Sequence, residues 1–453
     1  MFLVGWACYH VLRQNSRKQR LAKLPPGPYP FPIVGNILQL GLNPPQSLAK
    51  LSKIYGPIMY LKLGSISTIV VSSPEMAKEV LQKHDHVLSG RRTLAAAQVY
   101  DFGNKSMAFL PVDTRWRHLR KMSKEQMFSL HTLESSQEIR QNSIQKLYDY
   151  IHKCSIDHQI VDIGEVAFIT AHHLISATIC SIDLPLFNSN SIQELRESIQ
   201  GMTKVVSTPN LVDYFPVLKG IDPQGIMKES KSYFGKVYSI LQDMINERLK
   251  LRGLKNDILE SLLDYSQSNP SELPSDDVKH FLLDLFAGGL HTVSSTVEWA
   301  ITELIRNPEK MLKARNELWD VVGGNEQVKE SDISRLPYLQ SVVKETFRYH
   351  PVGPFLIPHK AEVDVEINGY IVPKNAQILV NIWAIGRDSS IWLNPDSFEP
   401  ERFLNCKTDI KGQDFELIPF GSGRRMCPGM PLAYRMVHLI VATFIHNFGA
   451  SIS

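Results

Sequence analysis

A glycine-rich loop presents one cysteine immediately before a long apolar segment near the end of this chain of 453 residues. Residues 420–429 read FGSGRRMCPG, and apolar residues recur with helical spacing from Leu432 to Phe448. Free N–H groups and the helix dipole stabilise an anion at the start of a helix. Both effects lower the pKa of a thiol, so the position of Cys427 favours a thiolate.

The same loop carries features that suit a flat, charged partner. Gly421, Gly423 and Gly429 let the backbone approach such a partner without Cβ clashes. Arg425, two residues before the cysteine, can neutralise a carboxylate on it. The combination favours a haem iron with one thiolate ligand and charged propionates. On these residues alone, a buried inert cysteine and a cysteine nucleophile with a histidine base remain open alternatives.

The composition narrows the class of protein. With 43% hydrophobic and 21% charged residues, the chain is typical of globular proteins, which excludes a disordered chain, a collagen and a polytopic membrane protein. The 49 basic and 46 acidic residues give a net charge of +3, too balanced for a nucleic-acid binder. No two of the five cysteines have CxxC spacing, so neither a disulfide scaffold nor a zinc ribbon is indicated. We expect the catalytic part in the reducing cytosol.

The first 35 residues differ from the rest of the chain. Residues 1–12 are mostly apolar, basic residues follow them, and no acidic residue precedes Glu75. Because about 20 apolar residues are needed to span a bilayer, residues 1–12 are predicted to be a partial membrane anchor. A frayed, partly buried N-terminus is the alternative. Residues 13–35 are predicted to be a basic flank and a stiff proline-rich spacer, and residues 36–453 a single catalytic domain.

Hydrophobic periodicity predicts a mainly α fold with a minor β part. Runs of β-branched residues around Gly64-Ser65 and Asn368-Gly369 indicate two hairpins. Apolar spacing of 3.6 residues indicates helices in the middle and at the end of the chain. The predicted strands are Ile58–Leu63, Ile66–Ser72, Val363–Ile367, Tyr370–Val372 and Ile378–Asn381. The predicted helices are Lys255–Tyr265, Asp276–Arg306, Glu309–Val322, Leu339–Tyr349 and Leu432–Phe448.

Four short motifs resemble those of one enzyme family. FGSGRRMCPG matches every fixed position of F-x-x-G-x-R-x-C-x-G, so the chain resembles the cytochrome P-450 superfamily of haem-thiolate monooxygenases. Residues 345–348 (ETFR), 400–403 (PERF) and 116–120 (WRHLR) resemble the E-x-x-R, PERF and W-x-x-x-R motifs of that family. The resemblance covers nearly the whole chain and implies a single large P-450 fold.

The resemblance also implies a cofactor and its contacts. It implies haem b with Cys427 as the axial ligand of the iron. Electrons would come from NADPH through a separate reductase, and no nucleotide-binding fingerprint occurs in this chain. The residues implied to contact the haem are Trp116, Arg120, His359, Arg425, Phe420, Gly423, Gly429, Gly288 and Gly289. The residues implied to fix the haem-binding core are Glu345, Arg348 and Arg402. By analogy, the substrate pocket takes its walls from residues 93–111, 201–220 and 352–357 and from the helix of Gly288.

One position departs from the family pattern. Residues 286–292 read FAGGLHT where the family has A/G-G-x-D/E-T, so His291 replaces the acid beside Thr292. A carboxyl group with a pKa of about 4 and an imidazole with one of about 6.5 are not equivalent proton relays. We expect Thr292, with His291, to serve proton delivery in a working monooxygenase. Release of reduced oxygen as peroxide and rearrangement of an already oxidised substrate are the alternatives.

Segments such as NIWAIGRD (381–388) resemble plant microsomal terpenoid oxidases such as geraniol hydroxylases. This resemblance implies hydroxylation of a lipophilic plant metabolite, a terpenoid, by dioxygen. It further implies attachment to the endoplasmic reticulum membrane with the catalytic domain facing the cytosol. A flavonoid or phenolic hydroxylase, a haem-thiolate isomerase or lyase, and an inactive haem-binding relic are the alternatives. Because family members continue further beyond the cysteine, we expect a C-terminally truncated sequence.

Overall fold

The structure, a computed structural model, describes residues 24–181, 190–253, 257–324 and 326–447. The predicted anchor (1–12), most of the basic flank, Lys255 and Phe448 lie outside the described residues. Helices dominate the fold and a small β part accompanies them, as predicted. The helices are α1 Ile37–Leu40, α2 Pro44–Tyr55, α3 Pro74–Lys78, α4 Asp85–Leu88, α5 Phe102–Lys105, α6 Thr114–Met122, α7 Leu130–Ser135, α8 Gln137–Ile156, α9 Ile163–Cys180, α10 Asn190–Ser207, α11 Leu211–Tyr214, α12 Ile226–Lys250, α13 Ile258–Ser268, α14 Val278–Arg306, α15 Pro308–Val322, α16 Pro337–Tyr349, α17 Ile382–Ile385 and α18 Met430–Asn447.

Strands from both ends of the sequence form one sheet. Its order is β1-β2-β7-β4-β3, and a separate hairpin pairs β5 with β6. β2 runs parallel to β7, and the other pairs in both sheets are antiparallel. The strands are β1 Ile58–Leu63, β2 Ile66–Val71, β3 Gly90–Arg91, β4 His359–Lys360, β5 Val365–Ile367, β6 Tyr370–Val372 and β7 Gln377–Val380. Both predicted hairpins are confirmed.

Local capping explains where the predicted helices begin. Asp257 accepts a hydrogen bond from the backbone N–H of Glu260, so α13 starts three residues later than predicted. Residues Ser275–Asp277 form a 3₁₀ turn before α14. Pro308 and Pro337 occupy the first positions of α15 and α16, where proline needs no N–H partner. The periodic patterns therefore placed these helices correctly to within a few residues.

The centre of the helical core is α14, which is 29 residues long and packs against α9, α12 and α18. Along the described chain, α9 is the one helix long and apolar enough to cross a membrane. Within this fold, 78% of α9 is buried, which is the behaviour of a core helix. His291 and Thr292 lie on α14, and the cysteine loop directly precedes α18. The packing of these two helices brings both sets of residues into one core.

Candidate active site

The cysteine loop runs directly into α18. The backbone N–H of Cys427 donates to the carbonyl of Phe420 at 2.9 Å, which closes the loop. Gly421 adopts a positive φ of 72°, a conformation that favours glycine. The ring of Phe420 packs edge-on against Phe347 of α16, with 5.3 Å between ring centroids. These contacts hold the thiol in one position at the start of the helix.

The thiol of Cys427 has accessible surface although it lies deep in the fold, so it faces an interior cavity. Burial raises the pKa of this thiol above its ordinary value. Backbone N–H groups of Gly429 and Met430 and the charge of Arg120 act in the opposite direction. The predicted helix-start effect is therefore present, but burial outweighs it in the protein alone.

Arg425 fixes the loop against the segment before α6. Its guanidinium donates to the carbonyls of Ser89 at 3.0 Å and Met107 at 3.3 Å, and also to the carbonyl of Leu110. The same guanidinium lies 4.8 Å from the ring centroid of Trp116, a cation–π contact. The indole N–H of Trp116 donates to the Met107 carbonyl at 3.1 Å.

Four basic side chains, Arg91, Arg120, His359 and Arg425, lie beside the cysteine loop. Burial and the charge of Arg425 lower the pKa of Arg91 to about 9, and burial and the charge of Arg120 lower that of Arg425 to about 10. Burial, with repulsion from Arg91 and Arg425, holds the pKa of His359 well below its ordinary value. Within the described ranges, none of the four forms an ion pair with a carboxylate. The cluster is therefore suited to an anionic partner.

Within the helical core, α14 presents Gly288 and Thr292 one turn apart. Both have exposed surface although they lie in a core helix. The Thr292 hydroxyl donates to the Gly288 carbonyl at 2.8 Å. A Cβ at Gly288 would meet nothing within 4 Å, so the helix backbone opens onto free space here.

His291 lies on a different face of α14 from Thr292. Its ring centroid is 5.2 Å from that of Phe168 on α9. The imidazole also forms a hydrogen bond with the backbone of Ile199 on α10. Burial lowers the pKa of His291, so the imidazole is neutral near pH 7. Its Nε2 atom is buried and has no hydrogen-bond partner in the described part of the chain.

A fully buried ion-pair network connects α16 to the PERF segment. Arg348 donates to both carboxylate oxygens of Glu345 at 2.7 Å, and Arg402 donates to the same carboxylate at 3.1 Å. The backbone N–H of Glu399 adds a bond to it at 2.7 Å. Glu345 and Arg348 are 0% exposed. The spacing predicts the Glu345–Arg348 pair and the resemblance implies the bond from Arg402, and both contacts are present.

The geometry of the cysteine loop, the cations and the ion-pair network agrees with the comparison to known families. A family model described as cytochrome P450 matches residues 25–453. The chain belongs to the cytochrome P450 family. The P450 cofactor is haem bound through a thiolate, and electrons come from NADPH through a reductase partner.

Relatives of this P450 are plant enzymes. It is 54% identical to cytochrome P450 76T24 of Catharanthus roseus over 98% of this chain and 90% of the relative. It is 50% identical to a ferruginol synthase of Isodon rubescens over 99% of this chain and 91% of the relative. A solved zebra fish cytochrome P450 structure with progesterone superposes with a TM-score of 0.79 at 26% identity, covering 90% of this chain and 93% of that one.

The residues around the cavity fit a P450 haem. Two propionates would supply the carboxylates that Arg91, Arg120, His359 and Arg425 lack. The Cys427 sulfur faces the cavity, and Gly288 and Thr292 leave space opposite it. A cysteine held by loop and helix, three guanidinium groups without a carboxylate partner beside His359, and an open helix face are the features that a haem with one thiolate ligand requires.

Two of the glycines predicted to contact the haem also lie close to other parts of the protein. A Cβ on Gly289 would lie 2.4 Å from the side chain of Ile175 on α9, so this glycine admits a neighbouring helix. A Cβ on Gly423 would lie 1.9 Å from the Leu81 carbonyl, and its φ is +67°. Glycine is required at both positions for close packing, whereas a Cβ at Gly288 would meet nothing within 4 Å.

Sequence reasoning missed Arg91 and Asp284. Arg91 donates to the carbonyl groups of Ile357 and Pro358, directly before His359. Asp284 lies two turns before Thr292 on α14 and bonds to the segment that follows α5. Neither residue belongs to one of the four family motifs. The one available signal for Asp284 was a carboxylate in an otherwise apolar helical pattern with the same 4-residue spacing as Gly288 and Thr292.

Proposed function

We propose that this P450 hydroxylates a lipophilic terpenoid with dioxygen and electrons from an NADPH-dependent reductase. The observation that carries the proposal is Cys427, whose sulfur faces a cavity bordered by Gly288 and Thr292. Relatives about half identical over nearly the whole chain are ferruginol synthases, sugiol synthase and carnosic acid synthase, which supports a terpenoid substrate. Flavonoid hydroxylation and haem-thiolate rearrangement are the competing activities.

In this proposal the basic cluster and the cysteine loop divide the work of holding the cofactor. Cys427 would hold the iron, and Arg120, Arg425 and His359 would hold the propionates. Trp116 supports Arg425 through its ring and donates its own N–H to Met107. Haem held in this way would supply the activation of dioxygen, with the Cys427 thiolate as electron donor.

Thr292 and His291 have different parts in proton delivery. Thr292 already directs its hydroxyl to the Gly288 carbonyl beside the cavity, where it can exchange protons with a bound ligand. His291 faces α9 and α10, away from that hydroxyl, and its buried Nε2 is available for a further hydrogen bond. We propose that His291 passes protons toward Thr292 from the α10 side.

Replacement of His291 by aspartate is expected to raise the fraction of NADPH electrons that appear in product. Aspartate has the proton affinity and charge of the usual family residue, whereas the buried imidazole is neutral and binds protons weakly. The measurement is product formed per NADPH consumed, with peroxide quantified in parallel. His291→Asn, of similar size and without an ionisable group, is the control. Equal coupling in the wild type and His291→Asp would contradict a relay role for this position.

The substrate proposal is tested by spectral titration followed by turnover. Monoterpenols, diterpenes and flavonoids are added separately to the holoenzyme, and the shift of the Soret band reports binding at the haem. Ligands that bind are then incubated with reductase and NADPH. We expect product to depend on NADPH and to come from a terpenoid. Product without NADPH would establish a rearrangement, and NADPH oxidation without any product would establish an inactive relic.

We propose that one apolar patch contacts the membrane surface of the endoplasmic reticulum. Two segments, 29–42 and 211–221, are brought together by the tip of the β1–β2 hairpin. There Ser65 donates to the Tyr214 carbonyl and Gly64 donates to the Val34 carbonyl. The exposed apolar side chains of these segments include Tyr29, Ile33, Leu38, Leu42, Val217 and Ile221. Exposed apolar side chains on neighbouring segments are typical of a membrane or protein contact.

Substitution of Leu42, Val217 and Ile221 together by serine is expected to lower binding of the full chain to phospholipid vesicles severalfold. These side chains are 72% to 107% exposed, so their removal takes away apolar surface without disturbing the core. Co-sedimentation with vesicles measures the bound fraction. A triple serine variant at Ile160, Leu312 and Leu393, exposed residues elsewhere, is the matched control. Equal loss of binding in both variants would contradict a specific membrane-facing patch.

A further inference from the structure

The carboxylate of Asp284 on α14 contacts residues 106 and 107, in the segment that bonds to the basic cluster. Asp284 lies four residues before Gly288 and eight before Thr292, so all three share one face of α14. Its two oxygens accept separate hydrogen bonds, from the Ser106 hydroxyl at 2.5 Å and from the Met107 backbone N–H at 2.7 Å. Both oxygens are therefore committed to one short segment, residues 106–110.

The same segment carries the carbonyl groups that receive the propionate-side donors. The Met107 carbonyl accepts from Trp116 at 3.1 Å and from Arg425 at 3.3 Å, and the Leu110 carbonyl accepts a second bond from Arg425. The backbone N–H of Met107 thus bonds to Asp284 on α14, while its carbonyl bonds to the cluster. Met107 therefore connects α14 with Arg425 and Trp116.

We propose that Asp284 is a positioning residue that sets the place of Arg425 and Trp116 through the Ser106–Leu110 segment. It acts on the haem through these two residues and does not itself contact the reacting atoms. The inference rests on the proposed contact of Arg425 with a propionate. Asp284 on α14 would thus contribute to retention of the cofactor.

The chemistry of the contact explains why a carboxylate stands in this otherwise apolar helix. Ser106 is fully buried, and its hydroxyl and the Met107 N–H would lose their hydrogen-bond acceptors without Asp284. Burial raises the pKa of Asp284 to about 7, while the two donors act to lower it. Bonds to a carboxylate are stronger than bonds between neutral groups. Fixing two adjacent residues by two such bonds holds the orientation of the Met107 carbonyl.

The Asp213 side chain supplies a matched control on the same wall. Its carboxylate accepts from the backbone N–H of Ala95 at 2.7 Å, so it also holds the 93–111 segment from another element. In the described part of the chain, no hydrogen bond joins Ala95 to Arg425 or Trp116. Loosening the wall through Asp213 therefore leaves the segment from Ser106 to Leu110 and its carbonyls in place.

The test compares haem loss from four holoenzyme variants: Asp284→Ala, Asp284→Asn, Ser106→Ala and Asp213→Asn. Transfer of haem to excess apomyoglobin gives the rate of loss, and the ferrous carbonyl spectrum gives the ligand state. We expect Asp284→Ala to lose haem about tenfold faster than the wild type, since both acceptors are removed. Ser106→Ala should show a smaller increase because Met107 keeps its bond. Asp284→Asn should lose haem at close to the wild-type rate, since its amide can accept from the Met107 N–H and donate to the Ser106 oxygen.

Two results would overturn the inference. One is a haem-loss rate of Asp284→Ala within twofold of the wild type, and the other is an equal increase in Asp213→Asn, which would reflect a loose wall only. If Asp284→Ala does not fold, the other two variants decide. The inference then requires that Ser106→Ala loses haem faster than Asp284→Asn, and equal rates or the reverse order would overturn it. A wild-type carbonyl spectrum without a thiolate signature would instead contradict the proposed function, so the two failures are distinguishable.

Discussion

Replacement of Cys427 by serine is expected to abolish monooxygenase turnover and the red-shifted Soret band that a thiolate gives to ferrous carbonyl haem. A serine hydroxyl stays protonated near neutral pH and cannot supply the electron donation that favours O–O cleavage. The side chain faces the cavity and its loop is closed by backbone bonds, so the substitution leaves the fold intact. Product formation should fall to the background of the assay.

The control for this experiment is Cys406→Ser, which changes a free cysteine on the surface. It should keep both the carbonyl spectrum and turnover of the wild type. A Cys427→Ser protein that retained the thiolate-type band would show that another residue binds the iron. Because the remaining described cysteines, Cys154 and Cys180, are buried in the helical core, no other described thiol is placed to do so.

The sequence predicted well those parts of the molecule that depend on short spacing. An E-x-x-R pair one helical turn apart must share a face, and Glu345 and Arg348 do so at 2.7 Å. The cysteine loop before α18 and both hairpins also follow from local rules for helix starts and turns. In each case the residues that interact are close along the chain, so the pattern itself carries the information.

The remainder depends on contacts between distant parts of the chain. The parallel pairing of β2 with β7 joins residues about 300 positions apart, and nothing local in either strand predicts it. Gly289 and Gly423 are predicted to lie against the haem because glycine permits close approach, and the sequence does not identify Ile175 and Leu81 as further close neighbours. Asp284 was missed for the same reason, since its partners lie in the segment near Ser106. Spacing along the sequence indicates that a residue needs a partner, but it does not identify a partner that is distant in the chain.

Replacement of Glu345 by alanine is expected to be the most destabilising single change outside the cavity. The carboxylate receives bonds from Arg348, Arg402 and the backbone of Glu399, and the Arg348 side chain is 0% exposed. Its removal leaves buried guanidinium charge uncompensated, which costs about 3–5 kcal/mol. We expect a fall of several degrees in the thermal unfolding midpoint and a lower yield of haem-containing protein.

The matched control for Glu345→Ala is Glu247→Ala, which removes the acid of an ion pair with the same three-residue spacing on α12. Glu247 lies 2.6 Å from Lys250, but both side chains are 68% exposed, so water and salt screen the pair. The unfolding midpoint of this variant should equal that of the wild type. Equal behaviour of the two variants would contradict a structural role for the buried network, because Glu345 is buried with three partner groups whereas Glu247 is exposed and pairs with Lys250. If Glu345→Ala is destabilised while Glu247→Ala is not, desolvation of the charges is the physical reason that the E-x-x-R and PERF segments hold the core together.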